Sequence, residues 1–249
     1  MGTRMTPKRH VHIVDDLRLQ IATGTLSAGS QLPAESVLMK RYATSRTTLR
    51  EAFARLENEG LLIRRQGIGN FVRHSAERIA YVTGSCQAQR RTAGNAALEI
   101  SLTQQTVKAS AELADRLRLP VGSDVAAYTY RSHYMMDPCS LARIYVPHAI
   151  ALLDVPWPVG SPMGEEVRHA LVQAEIRIAE TITRISSRLP VQEEAWELRI
   201  GTGTAVLEIE HVTTDVENRV VELARIVLPG FGADVVFTEQ APARELEVA

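Results

Sequence analysis

The chain has 249 residues, of which 45% are apolar and 23% are charged, and its net charge is -1. This length favours two domains, and the apolar share is sufficient for a packed core in each. The two cysteines, Cys86 and Cys139, lie far apart, which argues against a disulfide framework and against a cysteine metal site. No apolar segment follows the basic start, and no stretch is long enough to cross a membrane. A soluble, cytoplasmic protein without membrane association is therefore expected.

The charge is distributed unevenly along the chain. Residues 1–74 carry twelve Lys and Arg against six Asp and Glu, a net charge of +6. Residues 75–249 carry sixteen against twenty-three, a net charge of -7. A basic head on an acidic body is typical of a nucleic-acid-binding module joined to a domain that does not bind nucleic acid.

Two helices are predicted near the start of the chain. The first is indicated by apolar residues with helical spacing, at Ile13, Val14, Leu17 and Ile21. Gly24 then ends this helix as a left-handed cap. The second helix is short, covers about residues 34–42, and begins after Pro33, whose missing amide hydrogen does no harm at a helix start.

The stretch 44–56 predicts a third helix with one buried face. Its apolar residues follow the i, i+3, i+4, i+7 pattern, at Leu49, Ala52, Phe53 and Leu56. Ser45 is placed to cap the first turn, and Arg46, Thr47 and Arg50 project outward. Hydroxyl and guanidinium groups at an exposed helix start suit phosphates and guanine edges. We therefore predict a DNA recognition helix; the alternative is an ordinary amphipathic helix with a solvated basic face.

A hairpin is predicted directly after this helix. Residues 61–63 and 71–73 read as strands, and residues 64–70 as the turn between them. Two glycines and two arginines lie in the turn, so the backbone can approach another surface and the arginines favour the negative potential of a minor groove. The functional interpretation is a wing beside the recognition helix; the alternative is a hairpin with only a structural role.

Residues 13–72 closely resemble the winged helix-turn-helix of the GntR family of bacterial transcription regulators. The resemblance rests on five ordered segments: 21–24, 29–35, 45–52, 56–61 and 65–72. It implies a homodimer that binds an inverted repeat in double-stranded DNA. The implied contacts are to phosphates from Ser45, Thr47 and Thr48, to bases or backbone from Arg46 and Arg50, and to the minor groove from Gln66 and Gly67. Ser36 occupies a position where many relatives carry a base-contacting arginine, so the operator sequence does not transfer.

The remaining chain predicts an α+β domain with an antiparallel sheet. Strands are expected at 98–102, 125–134, 141–146, 176–188, 206–214 and 220–227, and helices at 110–117, 165–174 and 190–198. The expected organisation has three parts. The winged helix-turn-helix covers residues 1–74, a linker with a short strand at 79–82 covers 75–96, and the second domain covers 97–249.

The second domain resembles the UTRA effector domain of the HutC subfamily of GntR regulators. The matching segments are 113–123, 145–147, 188–195, 198–207 and 220–222. The resemblance implies a chorismate-lyase-like fold that binds a small molecule and has no catalytic role. The effector is expected to be anionic or polar.

Five residues are candidates for the effector site. Arg131 and His133 share one face of a long strand, where the family often has two basic residues that hold an anion; the alternative is a solvated arginine and a partly buried histidine. Glu222 matches an acidic position that accepts hydrogen bonds from ligand hydroxyls, with a cross-strand salt bridge as the alternative. Arg143 and Tyr145 share a face of the neighbouring strand and rank lower. Residues 229–234 lack the Asp-Arg-Tyr typical of relatives that bind sugar phosphates.

Catalytic and metal sites are not indicated. The seven histidines have no ligand spacing, and the chain contains neither a nucleophile elbow nor a phosphate-binding loop. No cofactor is therefore expected. The leading hypothesis is a dimeric DNA-binding repressor released by a small-molecule effector. The alternatives are a ligand-independent repressor, such as a plasmid control factor, and an enzyme fused to a DNA-binding head, in which Lys108 would have to carry pyridoxal phosphate.

Overall fold

In the computed structural model, the structure describes residues 9–74, 79–83, 98–155 and 160–237. The head comprises α1 (Arg9–Ala22), α2 (Glu35–Arg41), α3 (Arg46–Asn58), β1 (Leu62–Arg65) and β2 (Gly69–Val72). The second domain comprises β3 (Ile79–Thr83), β4 (Leu98–Lys108), α4 (Ala111–Leu117), β5 (Asp124–Tyr134), β6 (Asp137–Pro147), α5 (Glu165–Gln173), β7 (Ile178–Arg188), α6 (Gln192–Glu197), β8 (Val206–Asp215), β9 (Val220–Pro229) and β10 (Ala233–Phe237). No helix within these ranges is long and apolar enough to span a membrane.

The head has one aliphatic core, and its elements are those predicted. The buried side chains come from all three helices and both strands: Ile13, Val14, Leu17, Leu38, Leu49, Ala52, Phe53, Leu56, Leu62 and Val72. Because the apolar stripe of α3 faces this core, the opposite side of α3 faces solvent. An isolated bridge between Gln31 and Phe71 joins the loop before α2 to the hairpin.

The second domain is built on a six-stranded antiparallel sheet in the order β4-β5-β6-β9-β8-β7. Side chains alternate between its two faces. On one face, Tyr130 and Ile226 pack against helix α5; we call this the α5 face. On the other, Leu223 packs against α4 and Val227 against α6; we call this the α4/α6 face. The predicted antiparallel α+β architecture is confirmed.

Three strands differ from the expectation. β6 begins at Asp137, within the turn expected before residue 141. β4 continues past residue 102 to Lys108 along the sheet edge, where residues 103–106 are polar and exposed and so give no alternating signal. β10 was not predicted; it pairs in parallel with β3. The short strand expected at 79–82 is present as β3.

The head contacts the second domain directly. Thr204 donates a hydrogen bond of 3.1 Å to the side-chain oxygen of Asn58 at the end of α3. Gly60, which follows α3 with φ of +74°, lies against the ring of Phe231, and a Cβ at this position would overlap the ring. Glycine at residue 60 therefore permits both the turn out of α3 and the close approach of the two domains.

We expect Gly60→Ala to reduce the free energy of unfolding more than Gly24→Ala does. Both changes place a Cβ at a left-handed residue, which costs about 1–2 kcal/mol. Only Gly60→Ala also forces the Phe231 ring to move, which adds roughly 1–3 kcal/mol, since nothing lies within 4 Å of the corresponding position at Gly24. Urea unfolding of the two variants measures the difference, and equal losses would contradict the packing argument.

Candidate DNA interface and effector pocket

The start of α3 has the geometry expected of a recognition helix. Ser45 is the N-cap, and its hydroxyl accepts a hydrogen bond of 3.2 Å from the amide of Thr48. Thr47 is exposed beside this cap. The Arg46 and Arg50 side chains are 63% and 54% exposed. The exposed end of α3 therefore presents hydroxyls and two guanidinium groups to solvent.

Glu35 positions both arginines, which the sequence did not indicate. Its two carboxylate oxygens lie 3.3 Å from the Nε atoms of Arg46 and Arg50, respectively. Each pair is solvent-exposed and contributes little to stability. The pairs nevertheless fix the two guanidinium groups beside each other through Nε, so their outer nitrogens stay available to a bidentate acceptor such as a guanine edge. Ser36, the next residue, is exposed on the same helix start.

The predicted wing is present, and its tip is exposed. Gln66 and Gly67 lie at the tip, and Gly67 has φ of +75° with open space around it. The Gln31 side chain donates a hydrogen bond of 2.9 Å to the carbonyl of Ile68, which ties the tip to the loop before α2. The expected groove-facing role does not suit Arg65, because its guanidinium lies over the Phe71 ring and its side chain is only 20% exposed.

The five effector candidates are divided between the two faces of the sheet. Arg131, His133, Arg143 and Tyr145 lie on the α4/α6 face, whereas Glu222 lies on the α5 face. One ligand cannot contact side chains on both faces of a sheet, since the strands lie between them. The five residues therefore do not form a single pocket.

The basic candidates on the α4/α6 face have partners within the protein. Arg131 donates two hydrogen bonds of 2.8 Å to Glu197, and Arg143 donates one of 2.7 Å to Glu193. His133 is half-buried, and burial together with nearby arginines lowers its pKa. Arg131 is thus paired with a carboxylate of the same chain. This arrangement differs both from an arginine that is free to hold an anionic ligand and from an arginine that is only solvated.

A different set of polar residues surrounds Glu222 on the α5 face. Glu222 is 2% exposed and accepts hydrogen bonds from Thr213 at 2.9 Å and from Arg168 at 3.2 Å. Tyr81 and His211 line the same cavity, which encloses about 50 Å³. That volume holds water and is too small for a metabolite.

His211 is held as a neutral ring at the centre of this pocket. Its Nε2 lies 2.7 Å from the Tyr81 hydroxyl, and its Nδ1 lies 2.9 Å from the Thr183 hydroxyl. Burial, with a smaller contribution from the charge of Arg168, lowers the pKa of His211 to about 4. Burial also raises the pKa of Tyr81 to about 12. Both rings are therefore uncharged hydrogen-bonding groups near pH 7.

Tyr130 and Ser132 occupy the α5 face one residue away from the predicted basic pair. Both are fully buried, and their hydroxyls have no hydrogen-bond partner in the structure. Ser140, which lies opposite Ser132 in β6, is also buried, and its hydroxyl also has no hydrogen-bond partner. Sequence reasoning missed these residues and also Tyr81 and His211, because they meet only when distant strands align. No group of His, Cys, Asp and Glu within the described ranges is arranged to hold a metal ion.

His211 should make stability depend on pH in a defined window. Because protonation opposes folding, its contribution is complete above the unfolded pKa of about 6.5 and is lost as the pH falls toward the folded pKa of about 4. In this window the free energy of unfolding should decrease by up to about 1.4 kcal/mol per pH unit.

The matched variant for this prediction is His211→Gln, which keeps hydrogen-bonding groups without a titrating ring. Urea unfolding at pH 7, 6 and 5 should show a shallower loss of stability in the variant than in the wild type. Parallel pH dependences in the two proteins would show that His211 does not titrate as described.

The head and the sheet domain together define a class of protein. An exposed helix start with hydroxyls and paired arginines, next to a wing, has the features of a winged helix-turn-helix that binds DNA. The second domain adds a sheet with buried polar groups around Glu222, which is compatible with a sensing role once the pocket widens. The combination is that of a DNA-binding transcription regulator that responds to an effector.

Comparison with known families agrees with this class. Residues 10–72 match the family model of the bacterial regulatory proteins of the gntR family, and residues 93–231 match the UTRA domain. The chain therefore belongs to the GntR family, in the HutC-type arrangement of a GntR head followed by a UTRA domain. Members of this family are transcriptional regulators and not enzymes.

Individual relatives cover nearly the whole chain. An uncharacterised HTH-type transcriptional regulator of Streptomyces coelicolor is 29% identical over 252 residues, covering 88% of this chain and 89% of the relative. The HTH-type transcriptional regulator GgaR of Escherichia coli is 24% identical, covering 86% and 84%. A crystal structure of a GntR-family transcriptional regulator has a TM-score of 0.54 at 24% identity, covering 94% and 98%. PhnF from Mycobacterium smegmatis has a TM-score of 0.50 at 19% identity, covering 94% and 100%. The two structures support the fold.

Proposed function

We propose that the chain is a cytoplasmic, homodimeric repressor that binds an inverted-repeat operator and is released by a polar small molecule bound on the α5 face. The observation that carries the DNA-binding part is the arrangement of Glu35, Arg46 and Arg50 on the solvent side of α3. Each chain supplies one recognition helix, which reads one half-site. A dimer with two-fold symmetry matches an inverted repeat with half-sites roughly 34–36 Å apart.

The proposed DNA contacts follow the exposed surface of the head. Arg46 and Arg50 read bases in the major groove, and the wing tip at Gln66 and Gly67 enters the minor groove. The remaining contacts are to phosphates and backbone, from Ser36, Ser45, Thr47 and Thr48. All eight residues lie at the α3 start, the α2 start or the wing tip, and none of them belongs to the head core.

The proposed effector pocket is the one around Glu222. Its hydrogen-bonding groups suit a polar ligand, with Glu222 accepting and Tyr81 or Arg168 donating. Since the cavity encloses only about 50 Å³, an effector has to displace one of its walls. Among the residues that line the pocket, Tyr81 is nearest to the head along the chain, because it lies in β3, only seven residues after His74.

A cluster at the domain boundary would carry this displacement to the head. Asp137, at the start of β6, is 3% exposed and accepts hydrogen bonds from the amide of His74 at 2.9 Å and from its ring at 3.1 Å. Arg65 of the wing lies 3.7 Å from the same carboxylate. The neighbouring Arg73 donates a hydrogen bond of 3.0 Å to the carbonyl of Arg199. The head orientation therefore depends on the position of the β5–β6 turn.

The double variant Arg46→Ala/Arg50→Ala should bind the operator much more weakly, with relaxed base preference. Loss of a base-reading arginine costs about 1–3 kcal/mol. Arg55→Ala is the matched control, because Arg55 lies on the same helix and pairs with Glu59 of the head. Selection of an operator from random DNA followed by gel shifts measures both effects. Full affinity and unchanged preference in the double variant would refute the recognition-helix assignment.

Asp137→Asn should loosen the head from the effector domain. The change removes the charge from a buried acceptor, at a cost of roughly 1–3 kcal/mol. Scanning calorimetry should then show separate transitions for the two domains, whereas the wild type unfolds with the domains coupled. The exposed Asp154→Asn is the control. Identical calorimetric profiles for wild type and Asp137→Asn would contradict the role given to this contact.

The small cavity also favours one alternative, a repressor that needs no ligand. A thermal-shift screen of polar metabolites against the full chain distinguishes the two. A ligand that raises the melting temperature of the wild type, but not of Glu222→Gln, supports the effector proposal. The alternative gains support if no metabolite stabilises the protein while operator binding is intact.

A further inference from the structure

A second cavity lies between the DNA-binding head and the effector domain. It encloses about 810 Å³, within the range of small-molecule sites, and is lined by the wing on one side and by the end of α6 on the other. We propose that this interdomain cleft is a second ligand site, for a planar aromatic molecule that carries a carboxylate or sulfonate group. It lies on the α4/α6 side of the sheet and is therefore distinct from the pocket around Glu222.

The cleft exposes large apolar side chains from both domains. Trp196 of α6 is 75% exposed, Met136 of the β5–β6 turn is 64% exposed, and Ile68 of the wing is 65% exposed. All three line the same cavity. Apolar surface that converges on one cleft is typical of a binding site rather than of scattered surface residues, and a flat aromatic ring can stack on the indole of Trp196.

The charges of the cleft favour an anion. Arg64 and Arg199 line it. Neither forms an ion pair with a carboxylate in the part of the chain that the structure describes, and Arg199 uses one nitrogen for a hydrogen bond of 3.4 Å to the carbonyl of Met136. Glu197 also lines the cleft, but Arg131 already holds both of its oxygens at 2.8 Å. Glu57 is the remaining carboxylate; burial raises its pKa, and the nearby charges of Arg64 and Arg73 act in the opposite direction. The guanidinium groups of Arg64 and Arg199 are thus available to a carboxylate or sulfonate.

The backbone at Arg199 supports a role for its side chain. Arg199 has φ of +49°, in the left-handed region that normally favours glycine after a helix. Its amide donates a hydrogen bond of 3.2 Å to the carbonyl of Trp196, so both side chains stem from the same helix end. The left-handed turn after α6 therefore places the Arg199 side chain at the cleft beside Trp196.

A ligand in the cleft would touch the wing and the effector domain together. Gln66 and Arg64 of the wing line one wall, and Trp196 and Arg199 line the other. Binding would therefore fix the orientation of the head and alter operator affinity, in addition to any effect of the α5-face pocket. This inference does not depend on whether that pocket binds an effector.

Titration of full-length protein with anilinonaphthalene sulfonate, a fluorescent aromatic anion, tests the proposal. We expect saturable binding of one molecule per chain. Arg199→Gly should weaken binding about tenfold, the equivalent of losing one charge-assisted hydrogen bond, and Trp196→Ala should weaken it further. Arg199→Gly relieves the backbone conformation, so it is expected to fold at least as well as the wild type.

The matched control is Arg118→Gly, which replaces another left-handed arginine (φ of +55°) at the end of α4, outside the cleft. It should bind the dye like the wild type, as should Glu222→Gln in the other pocket. Equal affinity in the wild type, Arg199→Gly and Trp196→Ala would overturn the proposal. So would the absence of saturable binding, or loss of binding in Glu222→Gln alone.

Discussion

The buried apolar residues of α3 fix which side of this helix faces solvent. Leu49, Phe53 and Leu56 are at most 4% exposed and lock the helix against α1 and the wing. Because they fix its rotation, Arg46 and Arg50 have to point into solvent, next to Glu35. The packing of the head core thus determines which residues of α3 are exposed. The orientation of the head relative to the second domain is determined by the contacts that the end of α3 and the wing make with that domain.

The elements of the head could be predicted from the sequence, whereas the residues that line the pocket around Glu222 could not, for a physical reason. In α3 and the wing, one short segment contains both the apolar pattern and the exposed residues, so local periodicity was sufficient. On β5, side chains alternate, and a shift of one residue exchanges the two faces. The charges of Arg131 and His133 draw attention to one face of β5, whereas the α5 face at this point carries Tyr130 and Ser132. Correct assignment of β5 as a strand was therefore not sufficient to identify the residues near the pocket around Glu222.

Contacts between distant segments were also beyond local patterns. Gly60 meets Phe231, and His74 meets Asp137, across separations that no short motif records. The resemblance to known regulators indicated which domains are present but not how this head sits on its sheet. The sequence predicts only the first part of β4 and does not predict β10. The reason is related: whether a segment forms an edge strand depends on the strand beside it, which a local pattern does not contain.

The domain boundary is suited to a small switching energy because its hydrogen bonding is incomplete. One oxygen of Asp137, the Nε atoms of Arg65 and Arg73, and the hydroxyls of Ser132 and Ser140 are buried and form no hydrogen bond, although the Asp137 oxygen lies 3.7 Å from a guanidinium nitrogen of Arg65. Each such group costs about 1–3 kcal/mol, so an arrangement of the β5–β6 turn that paired one of them would gain a similar amount. A ligand then needs only a coupling free energy of about 1–3 kcal/mol to change the head orientation. The interdomain cleft borders this turn through Met136. The pocket around Glu222 lies on the other face of the sheet, against β3, α5, β8 and β9, so its route to the head passes through β3.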